Sequence, residues 1–136
     1  MRAATIYLIF IALISLVFGV VYLIAPVTMT TPMGFGELQP SALTDVRANC
    51  GGFQIGTGLF LLFCLRRERR KLGMLLAVLL ASAIATSRAL GFAIDGDVIP
   101  PLQGALTFEV ALTVISLVIY LRTPNDMAVA STQPRI

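Results

Sequence analysis

The sequence contains no histidine and no tryptophan, only two cysteines, and charged residues at just 12% of its length. Without histidine the chain lacks the commonest metal ligand, the usual haem ligand and the usual proton shuttle at neutral pH. No metal or cofactor is expected. Cys50 and Cys64 fall fourteen positions apart on one expected helix. At helical rise that is ~21 Å, far beyond the reach of an intrahelical disulfide. Both are expected to serve as small apolar fillers. The Asp95-Gly96-Asp97 turn resembles a fragment of a calcium loop but lacks the remaining ligands, so a solvated turn is expected.

The scarcity of charge excludes an ordinary soluble domain, in which about 25% of residues are charged. Mean hydropathy is +0.91, and four apolar stretches occupy residues 3–25, 45–65, 72–94 and 101–121. Each reaches or approaches the ~20 residues that a membrane-crossing helix needs. The expected fold is all-α, an integral membrane bundle of four transmembrane helices. Residues 1–122 then form a single domain, and residues 123–136 a flexible polar tail. The first stretch exceeds a secretory h-region of 7–15 residues. Leu23 and Pro26 also flank Ala25 unfavourably for cleavage, so an uncleaved first span is expected.

The net charge of +3 does not describe a nucleic-acid surface, because five of the ten basic residues lie in the single connection RRERRK, residues 66–71. Arg2, this loop and Arg122 fall on one side of the four spans; Glu37, Asp45, Asp95 and Asp97 fall on the other. Lys and Arg mark the cytoplasmic side, so both termini are expected in the cytoplasm. Attraction of the loop to anionic lipid is a secondary expectation.

The stretch 44–65, TDVRANCGGFQIGTGLFLLFCL, is unlike a lipid-facing span. Helical spacing puts Asp45, Asn49, Gly52 and Gly56 on one face and Arg47, Gly51, Gln54 and Gly58 on another. Small groups permit close helix approach, so Gly51, Gly52, Gly56 and Gly58 are expected at packing contacts on both faces. Ser15, Gly19, Tyr22 and Pro26 make a matching stripe on the first span. Ser41 or Thr44 is expected to cap the second span. Residues 26–43, broken by Pro26, Pro32, Pro40, Gly34 and Gly36, are expected to lie on the membrane surface or fold over the bundle mouth.

Several polar groups fall in the outer half of the expected bundle. Arg88 lies roughly 9 Å and Glu109 roughly 12 Å inside at helical rise. A lone charge there costs at least ~2.5–3.5 kcal/mol, so each must find a partner or water. Arg88 with Glu109 is the first choice for a pair, and Arg47 is expected to meet Asp45, Asp95 or water. With Tyr22, Asn49 and Gln54 these residues form a candidate polar pocket. Mutual structural pairing without any ligand is the competing expectation.

The TDVRA…GG…GxGLFLL segment with its basic loop, the lone Arg88, Asp95-Gly96 and Glu109 together resemble the bacterial family catalogued as domain of unknown function 4345. The resemblance runs from about Tyr7 to Tyr120. It implies a small four-span membrane protein and no particular activity. The leading functional expectation is a non-enzymatic binding or accessory protein of the bacterial inner membrane, with a lipid-like or small amphipathic molecule, or a membrane partner, at the polar pocket. Membrane lipids and a homo-oligomer or larger membrane complex are the expected partners. A small proton-coupled transporter is the alternative. It requires Glu109 free to exchange a proton, which Arg88 at equal depth opposes. An enzyme acting on a membrane-dissolved substrate, with Glu109 or Asp45 as acid or base, comes third.

Overall fold

The computed structural model describes residues 2–96 and 98–124. Asp97 of the acidic turn and residues 125–136 of the expected tail lie outside the described residues. The fold is all-α, with no strand among the described residues. Helix α1 (Arg2–Ile24) takes up the first apolar run. It ends where Ala25 leaves the helical region (φ −133°, ψ 59°), as expected of a residue that precedes a proline. Pro26 then opens the short helix α2 (Pro26–Thr30). A 3-10 turn (Thr31–Met33) follows, closed by Gly34 at φ 85°, a conformation that glycine adopts without strain.

The next helical stretch has three parts: α3 (Pro40–Val46), a π-helical turn (Arg47–Gly52) and α4 (Phe53–Phe63). The backbone stays right-handed helical across both junctions, with φ near −60° and ψ near −43° at Val46, Arg47, Gly52 and Phe53. Residues 40–63 are therefore one continuous helical path with a widened turn. The Phe53 amide reaches back five residues to the Ala48 carbonyl. The expected cap at Ser41 or Thr44 is corrected. Gln39 holds the cap position and Pro40 the first helical one, because proline needs no amide partner there. Thr44 instead bonds the Pro40 carbonyl at 3.0 Å, inside the helix.

After a 3-10 turn (Arg67–Arg69) in the basic loop, α5 (Arg70–Asp95) runs to Gly96. Gly96 closes the helix in the left-handed conformation (φ 69°), with its amide on the Phe92 carbonyl at 3.2 Å. Ile99 is extended and Pro100 begins α6 (Pro100–Arg122). Among the described residues three stretches are long and apolar enough to cross a membrane: Arg2–Ile24, Arg67–Asp95 and Pro100–Arg122. Phe10, Phe53, Phe60, Leu79, Leu90, Val114 and Leu121 point outward. Such a surface suits hydrocarbon, so this is a membrane helical protein.

The helices associate in two pairs. Helix α1 packs along the π turn and α4, and α5 packs along α6. Although the basic link between them is short, α4 and α5 share few contacts. The pairs meet through a cluster of Ala4, Tyr7, Leu8, Ala12, Leu61 and Met74. These residues come from the first half of α1, the last turn of α4 and the second turn of α5, so the core sits near the basic loop. Cys64, fully buried, seals this end against Gly73 and Leu8.

Backbone proximity in the α1–α4 pair rests on glycine. A Cβ at Gly19 would stand 2.7 Å from Ile55 Cγ1 and 2.9 Å from the Gly51 carbonyl oxygen. One at Gly58 would stand 2.7 Å from Leu16 Cγ and 2.9 Å from the Ala12 oxygen. Gly51 lies 3.2 Å from the Gly19 oxygen by the same measure. The expectation for Gly52 and Gly56 is corrected: a Cβ at Gly56 meets nothing within 4 Å, and one at Gly52 only the Arg47 oxygen at 4.0 Å. Their face of the helix points away from α1. Gly58→Leu is expected to destabilise by at least the ~1–3 kcal/mol typical of overpacking. Gly56→Leu is expected to melt with the parent. Thermal unfolding in detergent checks both, and a parent-like Gly58→Leu would contradict this account of the contact.

Candidate functional site

Arg88 projects from α5 about two turns before the helix ends, and Glu109 from α6 about two and a half turns after its start. The Gly96–Ile99 connection sets the two helices antiparallel, so these positions come level. Arg88 donates from Nε to Glu109 Oε2 at 2.9 Å and to Oε1 at 3.2 Å, and from Nη2 to Oε1 at 2.7 Å. This is a bidentate, charge-assisted pair, the strongest geometry that an arginine and a carboxylate can adopt. The side chains are 25% and 13% exposed, so the pair is largely withdrawn from its surroundings. Thr113 bonds the Glu109 carbonyl oxygen at 2.8 Å, within α6.

Tyr22, from the far end of α1, is half-buried and lies within electrostatic range of both Arg88 and Cys50. Beside Arg88, an open depression of about 440 Å³ is lined by Ala83, Ile84, Ser87 and Arg88, all on one face of α5. That volume falls within the range of small-molecule sites, ~300–1,000 Å³. Only two of the guanidinium's five N–H groups are used on Glu109. Arg88 therefore keeps donors for an occupant of the depression, and Ser87 adds a hydroxyl.

The other expected pocket residues are elsewhere. Arg47 was expected to meet Asp45, Asp95 or water. Its Nε donates instead to the Leu23 carbonyl oxygen at 3.1 Å. That oxygen belongs to the last turn of α1, where carbonyls lack intrahelical partners and a cation is favoured by the helix dipole. Asp45 and Asn49 bond each other at 2.7 Å one turn apart, on the exposed face that carries Gly52 and Gly56. Neither makes a hydrogen bond or ion pair with Arg88 or Glu109. Gln54 is half-buried and has no hydrogen-bond partner among the described residues. So of the seven candidates, Arg88 and Glu109 come together with Tyr22 in electrostatic range, Asp45 and Asn49 pair within one helical turn, and Arg47 ties its helix to the end of α1.

Sequence reasoning missed Ser87, Ala83 and Ile84 as walls of the depression. The signal available was the small pair Ala83 and Ser87 at i, i+4 on the turn that leads into Arg88. It also missed Tyr7, whose hydroxyl lies 2.7 Å from Ser116 Oγ and donates to the Leu112 carbonyl oxygen at 3.2 Å. With Ser116 as donor to Tyr7, every group in this buried chain is satisfied, and α1 is tied to α6 near the core. The 3-10 turn Thr31–Met33 reaches α6, with Pro26 and Thr30 buried before it and Gly34 near Ile99. Among the described residues no group of three or more Cys, Asp and Glu side chains could hold a metal ion.

The profile of the family described as "Domain of unknown function (DUF4345)" matches residues 3–120, nearly the whole chain. The chain belongs to this family. The match spans every residue of the ion pair, the depression and the α1–α4 contact, so these features lie within the DUF4345 unit. Among curated proteins and among solved structures, nothing matches the chain.

Proposed function

We propose that this DUF4345 protein crosses the bacterial inner membrane four times and binds a lipid-like or small amphipathic molecule in the depression beside Arg88. The continuous helical path of residues 40–63 supplies the fourth span. Its π turn interrupts the helical hydrogen bonding but not the path, and polar Asp45 and Asn49 lie towards its outer end. With Arg2, the basic loop and Arg122 at one end of the bundle, the positive-inside rule sets both termini in the cytoplasm. The depression then opens in the outer half of the bilayer.

The depression itself carries this reading. It is about 440 Å³ in volume, with apolar walls from Ala83 and Ile84 and donors from Ser87 and Arg88. Because Glu109 neutralises Arg88, the site suits an uncharged acceptor, such as a carbonyl, ester or hydroxyl oxygen, on an apolar body. Proton-coupled transport fits less well. Both oxygens of Glu109 are committed to Arg88, and a transport cycle would have to break that pair at each turn. Catalysis is less favoured still, since no nucleophile and base stand together at the depression.

Two measurements test the proposal. Reporter fusions after Leu72 and after Arg122 are expected to report cytoplasm and one within residues 26–43 periplasm; a periplasmic signal at the basic loop would overturn the orientation. For the site, native mass spectrometry of the parent protein released from membranes is expected to show a retained small molecule. Ile84→Trp, which fills the depression from an exposed position, should remove it without altering thermal stability. Retention by the filled variant, or a parent that carries nothing, would contradict the binding role.

A further inference from the structure

The chain forms two helical hairpins in series. The first runs from α1 to the end of α4 and closes through residues 25–39; the second, α5 with α6, closes through Gly96–Ile99. Both closures lie at the end of the protein away from the basic loop. The covalent link between the hairpins is that loop, residues 64–69, at the opposite end. The packing that joins them lies there too. Ala4, Tyr7, Leu8 and Ala12 cluster with Leu61 and Met74, and Tyr7 reaches Ser116 Oγ at 2.7 Å and the Leu112 carbonyl oxygen at 3.2 Å. Past Ala12, α1 is engaged within its own hairpin, with Leu16 against Gly58 and Gly19 against Gly51 and Ile55. The Arg47–Leu23 and Arg88–Glu109 contacts likewise each stay within one hairpin. Among the described residues, no hydrogen bond or ion pair joins the far halves of the two hairpins. At the far end the Thr31–Met33 turn rests against α6, and a Cβ at Gly34 would lie 3.7 Å from Ile99 Cδ1.

We propose that the hairpins part at their far ends, pivoting on the core near the basic loop, and that the Thr31–Met33 turn is the latch that holds them closed. A contact with few buried apolar groups and no polar tie is the first to open. Each hairpin moves as a unit, because its own seam is the firmer one: close backbone approach at glycine in the first, a bidentate ion pair in the second. The pivot falls at element ends, residues 64–69, as in hinged domain closure. A tilt of ~10° displaces the end of α1 by roughly 3 Å over the ~18 Å from Ala12 to Ile24. Tyr22 of the first hairpin lies in electrostatic range of Arg88 of the second, so the gap borders the ion pair. It gives a membrane-dissolved amphipathic molecule a lateral entrance. The motion holds whether or not the depression beside Arg88 takes a ligand.

Distances between paired spin labels, measured on the full chain in lipid nanodiscs with Cys50→Ser, test this device. Cys64 is fully buried and takes no label. Val20→Cys with Leu90→Cys spans the hairpins at the far end, and Phe10→Cys with Leu117→Cys spans them near the loop; all four positions are exposed. Val20→Cys with Phe53→Cys stays within the first hairpin. The far pair should show a second component, longer by a few ångströms, and the other two pairs a single narrow distance. Ile99→Ala, outside the helices, should raise the longer component several-fold by weakening the latch. A single narrow distance in the far pair would overturn the motion. Equal broadening within the first hairpin would overturn it too, since the far end would then fray rather than part as two units. An unchanged distribution in Ile99→Ala would overturn the latch.

Discussion

An arginine and a glutamate in the apolar part of a helical membrane protein are tolerable only together. Either alone in hydrocarbon is opposed by at least ~2.5–3.5 kcal/mol on insertion scales. The bidentate contact between Arg88 and Glu109 removes that opposition for both and leaves two groups of fixed position. The rest of the α5–α6 pair follows from it. With Arg88 and Glu109 level, the connection must turn within a few residues, which Gly96 in the left-handed conformation and Pro100 at the start of α6 allow. The same register places Leu112 and Ser116, one and two turns on, where Tyr7 of α1 can reach them.

The α1–α4 pair is held by a different force. No charge joins its central turns; Gly19, Gly51 and Gly58 let the two backbones come within van der Waals distance, so dispersion along the seam stabilises the pair. Arg47 finishes this seam at the Leu23 carbonyl. Because the two pairs share their main core near the basic loop, their far halves are joined by less: Tyr22 in electrostatic range of Arg88, and the Thr31–Met33 turn against α6. The depression beside Arg88 lies at that end, on a face of α5 where Ala83, Ile84 and Ser87 are exposed.

Much of this was legible in the sequence because depth in a membrane is a one-dimensional quantity. Counting residues from the Asp95–Pro101 turn puts Arg88 and Glu109 at matching levels, and a charge in hydrocarbon has few alternatives to its nearest opposite. Helix ends were legible wherever Pro26, Gly96 or Pro100 dictates the backbone. Rotation about the helix axis was less legible. The wheel separates Gly51 and Gly58 from Gly52 and Gly56 correctly, but it does not say that only the first face meets a neighbour. Arg47 eluded residue-type reasoning because its partner is a backbone carbonyl, which every residue carries. Tyr7 did so because its partner Ser116 comes from the other end of the chain. The π turn at Arg47–Gly52 has no strong sequence signal beyond the weak helix preference of Gly51 and Gly52.

The dependence of the fold on the ion pair is tested most directly by a double-mutant cycle on Arg88 and Glu109, read by thermal unfolding in detergent. Arg88→Met and Glu109→Leu should each destabilise strongly, by about 3–5 kcal/mol, since each leaves the other charge without a partner. The double variant should be no less stable than either single one, giving a coupling energy at least as large as one single loss, about 3–5 kcal/mol. Additive losses would mean that the two side chains act independently, and would contradict the account.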